Sequence, residues 1–126
     1  MKPKRTFKIP WVIATLGTLS VILALTHLPE SAVVRHLNVT SFDKILHIAA
    51  YSILGYTLLR ATHLRSKLVS FLIVLGLIAV IGALDELTQP LVQRTASVAD
   101  WFADCGGVCI AILCDANCKE PKNLST

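Results

Sequence analysis

Charged residues are scarce in this chain. Asp, Glu, Lys and Arg make up 16% of its 126 residues, whereas 54% are hydrophobic, and the mean hydropathy is +0.65. Soluble domains carry about 25% charged residues, so the polar side chains are too few to clothe a water-soluble globule. Other features are missing too. There is no RNA- or DNA-binding motif, no recognised nucleophile motif and no metal signature of fixed spacing. There is no internal repeat and no low-complexity run, and the length suits one domain.

What the chain does have is apolar length. Four stretches stand out, at 10–28, 45–59, 68–84 and 98–113. A helix crossing the hydrocarbon needs about 17–25 residues. Each stretch reaches that once its polar ends are included, giving spans near 10–28, 43–60, 67–86 and 98–114. The second and fourth are marginal by hydropathy because they carry polar residues. The expectation is an all-α transmembrane bundle of four helices, a single membrane domain over residues 1–126. A basic N-terminus before an apolar run is also the pattern of a secretory signal peptide. This run is long, lacks a small-x-small cleavage pattern and precedes three more stretches, so a retained first helix is the better reading. The cysteines, Cys105, Cys109, Cys114 and Cys118, sit on or just after the last stretch. They read as small apolar residues of a packed helix and imply no disulfide framework.

Orientation follows from Lys and Arg. The N-terminal tail holds Lys2, Lys4, Arg5 and Lys8, the connection after the second stretch Arg60, Arg65 and Lys67, and the C-terminal tail Lys119 and Lys122. In a four-span protein these share one side and comprise nine of the twelve basic residues, leaving Arg35, Lys44 and Arg94 on the other. Both termini are therefore expected in the cytoplasm. Glu30, Asp43, Asp85, Glu86, Asp100 and Asp104 fall outside, so the formal charge is −3 outside and +7 inside. The net +4 then reflects orientation and contact with anionic lipid, not nucleic acid. Trp11 and Trp101 open the first and last helices, where an aromatic belt would lie.

An Asp at the centre of a membrane helix costs roughly 2.5–3.5 kcal/mol, and less near an end. Five carboxylates nevertheless sit in or beside these stretches: Asp43, Asp85, Glu86, Asp100 and Asp104. Ser41 is a plausible N-cap for the second helix, and Asp43, His47 and Tyr51 follow on one face at intervals of four. The third helix ends with Asp85 and Gln89 on one face and Glu86 beside them. The fourth carries Asp100, Asp104, Gly107 and Ala111 on one face, and small residues at such spacing let helices approach closely. Arg94, just before it, can reach a carboxylate bidentately. The first helix has no comparable stripe and reads as a packing helix, with Thr15 and Thr18 bonding their own backbone.

Taken singly, each of these residues has an ordinary explanation. Asp43 suits a helix N-terminus, His47 a hydrogen-bonded core histidine, Tyr51 plain packing, and Gln89 and Arg94 a polar loop. Together the five carboxylates face Lys44 and Arg94, an excess of three negative charges with His47 neutral. Beside lipid that excess calls for protonated carboxylates, a protonated His47, or a held cation. No cofactor is evident, and the cation could be a divalent metal or the amine of a ligand.

In these residues the chain resembles the VanZ-like family of small bacterial membrane proteins. The resembling segments are Asp43-Lys44-x-x-His47-x-x-x-Tyr51 and Asp85-Glu86-x-x-Gln89, then Arg94 and Asp100-x-x-x-Asp104-x-x-Gly107, over roughly half the chain. It departs from the family in Asp104, where Asn is common, and in lacking the glycine commonly found beside the Arg. The resemblance implies a helical multi-pass protein of the bacterial cell (inner) membrane. One member is associated with low-level resistance to the glycopeptide teicoplanin, so the implied context is the cell envelope. Function divides between two main classes. The first is a binding or accessory protein whose outward acidic cavity takes an envelope ligand or a partner protein. The second is an enzyme of the outer leaflet, acting on a lipid-linked or cell-wall substrate by metal or by general acid and base. An ion-coupled carrier would need oligomers, because four short helices make a narrow monomer.

Orientation is checked by labelling. With the native cysteines replaced, Gln93→Cys should react with a membrane-impermeant maleimide added outside the cell. Reaction from the cytoplasmic side alone would reverse the topology.

Overall fold

The computed structural model describes residues 8–28, 40–62 and 66–117, with the side chains of 40–42 and 117 excepted. Arg35, Arg65, Glu30, Cys118 and the basic tail residues on which the expected orientation rests lie outside the described residues, apart from Lys8. Among the described residues the protein is all-helical: α1 (Ile9–Thr26), α2 (Thr40–Thr62), α3 (Lys67–Thr88) and α4 (Val98–Asn117), with no strand.

The ends of these helices follow local chemistry. Pro10 occupies the first turn of α1, where a missing N–H is not missed. Ser66 caps α3 by accepting from the Val69 N–H. Ser41 does not cap α2, which is already helical at Thr40. The Asp43 charge in that first turn suits the positive end of the helix dipole. At the end of α3, Pro90 forbids a continued α-helix and the chain tightens into a 3-10 turn, Gln89–Val92. Gln93 then takes a left-handed backbone, with φ 61°. Glycine would adopt that conformation more cheaply. The turn is held by the Gln93 N–H on the Pro90 carbonyl and the Arg94 N–H on the Gln89 carbonyl.

The helices alternate in direction, so that α2 and α4 run parallel and make the most extensive pairing. Helix α1 packs on α2, and α3 packs on both α4 and α2. Their centre is an apolar core of Ile22, Tyr51, Leu54, Val74, Ile78 and Val108. Gly107 and Ala111 sit at the α2–α4 seam, in keeping with the spacing of small residues. A Cβ on Gly107 would stand 2.8 Å from both the Ile48 carbonyl oxygen and the Ser52 nitrogen. Further along, Ala111 meets Gly55. Thr15 and Thr18 do bond back to their own helix, at the Trp11 and Ala14 carbonyls.

One end of the bundle is aromatic and cationic. The Arg60 guanidinium lies 5.4 Å from the Trp11 ring and 5.7 Å from Tyr56, a cation–π arrangement. Arg60 also reaches Asp115 at 3.5 Å. The flanks are apolar: Ile13, Leu16 and Val21 on α1, Ile45 and Ile53 on α2, Leu72, Val80 and Leu84 on α3, and Phe102 and Leu113 on α4 are all exposed. Two segments, Ile9–Thr26 and Lys67–Val92, are long and apolar enough to cross a membrane, and neither is mostly buried. Helices α2 and α4 do not reach that standard by composition, since both carry polar and charged residues.

Gly107→Ala should destabilise the protein by about 1–3 kcal/mol, because backbone rather than a flexible side chain must yield. A Cβ on Gly106 would meet nothing within 4 Å, so Gly106→Ala should be neutral or gain up to about 1 kcal/mol in helix propensity. Unfolding in mild detergent measures both.

Candidate functional site

At the other end of the bundle, the C-terminal ends of α1 and α3 meet the N-terminal ends of α2 and α4. All nine polar residues singled out in the sequence gather there, and they form two layers.

The outer layer is paired. Lys44 of α2 reaches Asp100 of α4 at 3.1 Å, and Arg94 reaches Asp43 at 3.6 Å. Arg94 does not make the bidentate carboxylate contact expected of it. Its other terminal nitrogen donates to the main-chain carbonyls of Thr26, at 3.1 Å, and Leu25, at 3.4 Å. The last carbonyls of a helix lack intrahelical donors and carry partial negative charge, so the end of α1 competes successfully for the guanidinium.

The inner layer is buried and lacks Lys and Arg partners among the described residues. His47 Nδ1 lies 2.8 Å from Asp104 Oδ1, with both side chains nearly or fully enclosed. The parallel seam between α2 and α4 sets this pair, one turn beyond Lys44–Asp100. Asp85 accepts from the Thr26 hydroxyl at 2.8 Å and lies 3.5 Å from His27 Nδ1. His27 Nε2 is 3.0 Å from the Thr88 hydroxyl. Glu86 accepts from the Ser97 backbone N–H through one oxygen and from Gln89 through the other. Gln89 therefore serves Glu86, although it shares a helix face with Asp85. Tyr51 stacks on His47, with rings 5° from parallel and centroids 6.2 Å apart.

Three polar atoms of this layer are enclosed without a hydrogen-bond partner among the described residues: the Tyr51 hydroxyl, Asp85 Oδ2 and Asp104 Oδ2. Asp104 Oδ2 faces α3 at Gly82, where a Cβ would come within 2.7 Å of it. Trp101 lines the same contact and donates its indole N–H to the Ala79 carbonyl. Trp101 thus ties α4 to α3 rather than offering its N–H to a membrane surface.

Four contributors are not among the residues that the sequence pattern singles out: Thr26 of α1, His27 just after it, Gly82 of α3 and the Ser97 backbone. Helix α1 is more than a packing helix, since its last turn supplies side chains to Asp85 and carbonyls to Arg94. The signal was there in Thr26-His27 at the end of an apolar run, level with the acidic ends of the other helices.

Chemically the layer offers the imidazoles of His47 and His27, three carboxylates and the Tyr51 hydroxyl. His47, Glu86 and Asp104, all buried, present ligand atoms within 4.8 Å of one another, and so do Asp43, His47 and Asp100. Such a group could hold a metal ion. Cys105, Cys109 and Cys114 are free thiols and belong to neither group. Compared with protein-family models, curated proteins and solved structures, the chain finds no match.

The His47–Asp104 pair should be strongly coupled. His47→Leu alone should cost about 3–5 kcal/mol, because it strands Asp104 in an enclosed site. His47→Leu with Asp104→Leu should cost well under the sum of the two single changes, as read from a double-mutant cycle on unfolding.

Proposed function

We propose that this is a VanZ-like integral protein of the bacterial cell membrane, spanning it four times with both termini in the cytoplasm. Its acidic cavity opens outward, holds a cation and binds an envelope ligand or partner protein. In this role the protein contributes to protection against glycopeptides of the teicoplanin type. The apolar flanks of all four helices favour lipid contact for α2 and α4 as well as for the two plainly apolar segments. Polar groups are then turned inward, as membrane proteins require. Arg60, Trp11 and Tyr56 at the far end suit the cytoplasmic interface, where basic and aromatic side chains collect.

The observation that carries the binding role is the uneven neutralisation of the two layers. Outer carboxylates have Lys44 and Arg94. Inner Asp85, Glu86 and Asp104 have two histidines at most. A cation entering from outside finds its complement in the inner layer. A second reading rests on the buried His47–Asp104 contact beside Glu86. That arrangement also suits proton transfer, or metal chemistry, on a lipid-linked or cell-wall substrate at the outer leaflet.

Expression of the full chain in a teicoplanin-susceptible Gram-positive host tests the proposal. The wild type should raise the inhibitory concentration. Asp85→Asn and Asp104→Asn, at matched membrane abundance, should abolish the rise, while Asp115→Asn should keep it. Equal protection by all of them would remove the cavity from the function. Chemically altered lipid-linked precursors in the protected cells would favour the enzyme.

A further inference from the structure

We infer that the cation held by the inner layer is one divalent first-row transition-metal ion, bound by His47, Glu86 and Asp104. The inference rests on the cavity reading above and identifies what the cavity holds. Three ligand atoms within 4.8 Å of one another leave a central point about 2.8 Å from each, so side-chain rotations of under an ångström reach bonds of about 2.0–2.2 Å. The ligands come from three different helices, α2, α3 and α4, and their positions are fixed by the packing already described. Glu86 is oriented by the Ser97 N–H and Gln89, the kind of outer support that fixes a metal-binding carboxylate.

An independent observation points the same way. The Tyr51 hydroxyl is fully enclosed and has no hydrogen-bond partner among the described residues, and it lies within the electrostatic reach of Asp104, Asp85 and Glu86. A hydroxyl in that position is free to donate to a group that sits among those carboxylates. It can donate to a water or anionic ligand on the metal. Gly82 leaves open the space beside Asp104 Oδ2, which a side chain would fill.

The rival group, Asp43, His47 and Asp100, is disfavoured by charge. Its two carboxylates already hold Arg94 and Lys44, whose charges repel a metal ion. The inner donors, one imidazole nitrogen and two carboxylates, suit Zn²⁺, Fe²⁺ or Mn²⁺. Cu⁺ prefers sulfur, and Ca²⁺ takes six to eight oxygens.

The test uses the full chain in mild detergent, stripped with a chelator and titrated with Zn²⁺ and with Co²⁺. One equivalent of either should bind per chain, with Co²⁺ absorption of nitrogen–oxygen type, and Zn²⁺ should raise the unfolding temperature. His47→Ala, Glu86→Gln and Asp104→Asn should each weaken binding about tenfold or more, and Asp115→Asn should not. Glu86 makes no hydrogen bond to His47, so Glu86→Gln remains informative if Asp104→Asn fails to fold. Absence of binding to a cooperatively folded wild type would overturn the inference. So would loss in Asp43→Asn together with full retention in Glu86→Gln. If no metal binds yet Asp104→Asn still abolishes teicoplanin protection, the metal falls and the cavity reading stands. If metal binds but no variant affects protection, the cavity reading falls and the metal site stands.

Discussion

The close approach of α2 and α4 at Gly107 is the constraint on which the rest depends. With hydrogen as its side chain, Gly107 lets its helix lie against the Ile48–Ser52 backbone. In the proposed membrane setting there is little hydrophobic drive between helices, so van der Waals contact of this kind would carry much of their association. The approach also sets register. With the seam fixed there, Asp104 falls on His47 and Asp100 on Lys44. A seam one residue out of step would send both carboxylates toward other neighbours, and the site would not exist.

Its second principle is the separation of charge by depth. Carboxylates of the outer layer are matched by long flexible cations able to follow them. Those below are matched by groups on fixed short stems: Thr26, His27, His47, Gln89 and the Ser97 N–H. Such groups orient a carboxylate without fully cancelling its charge. An arrangement selected only for stability would replace this layer by apolar side chains, which favours a working role for it.

Much of this was legible in residue spacing. Asp43, His47 and Tyr51 at intervals of four define one face of α2, and Asp100, Asp104, Gly107 and Ala111 one face of α4. Helical periodicity is enough to gather each set. The contacts of Arg94 were not legible, because its partners are main-chain carbonyls, which no side-chain pattern announces. Thr26 and His27 were overlooked because a stripe needs several turns, and these two occupy the last turn and the residue after it. Gly82 was hidden for a related reason. Its importance lies in the atom facing it from α4, and that pairing exists only once α3 and α4 have been set against each other.

The grip of Arg94 on α1 has a bearing on how the protein tolerates change. Its acceptors, the carbonyls of Leu25 and Thr26, belong to the backbone and are present whatever side chain stands at those positions. In the proposed membrane setting, helix α1 can therefore exchange one outward-facing residue for another to match a thicker, thinner or differently composed bilayer, while its hold on Arg94 persists. Adaptation to the membrane and upkeep of the site become separable problems within one short chain.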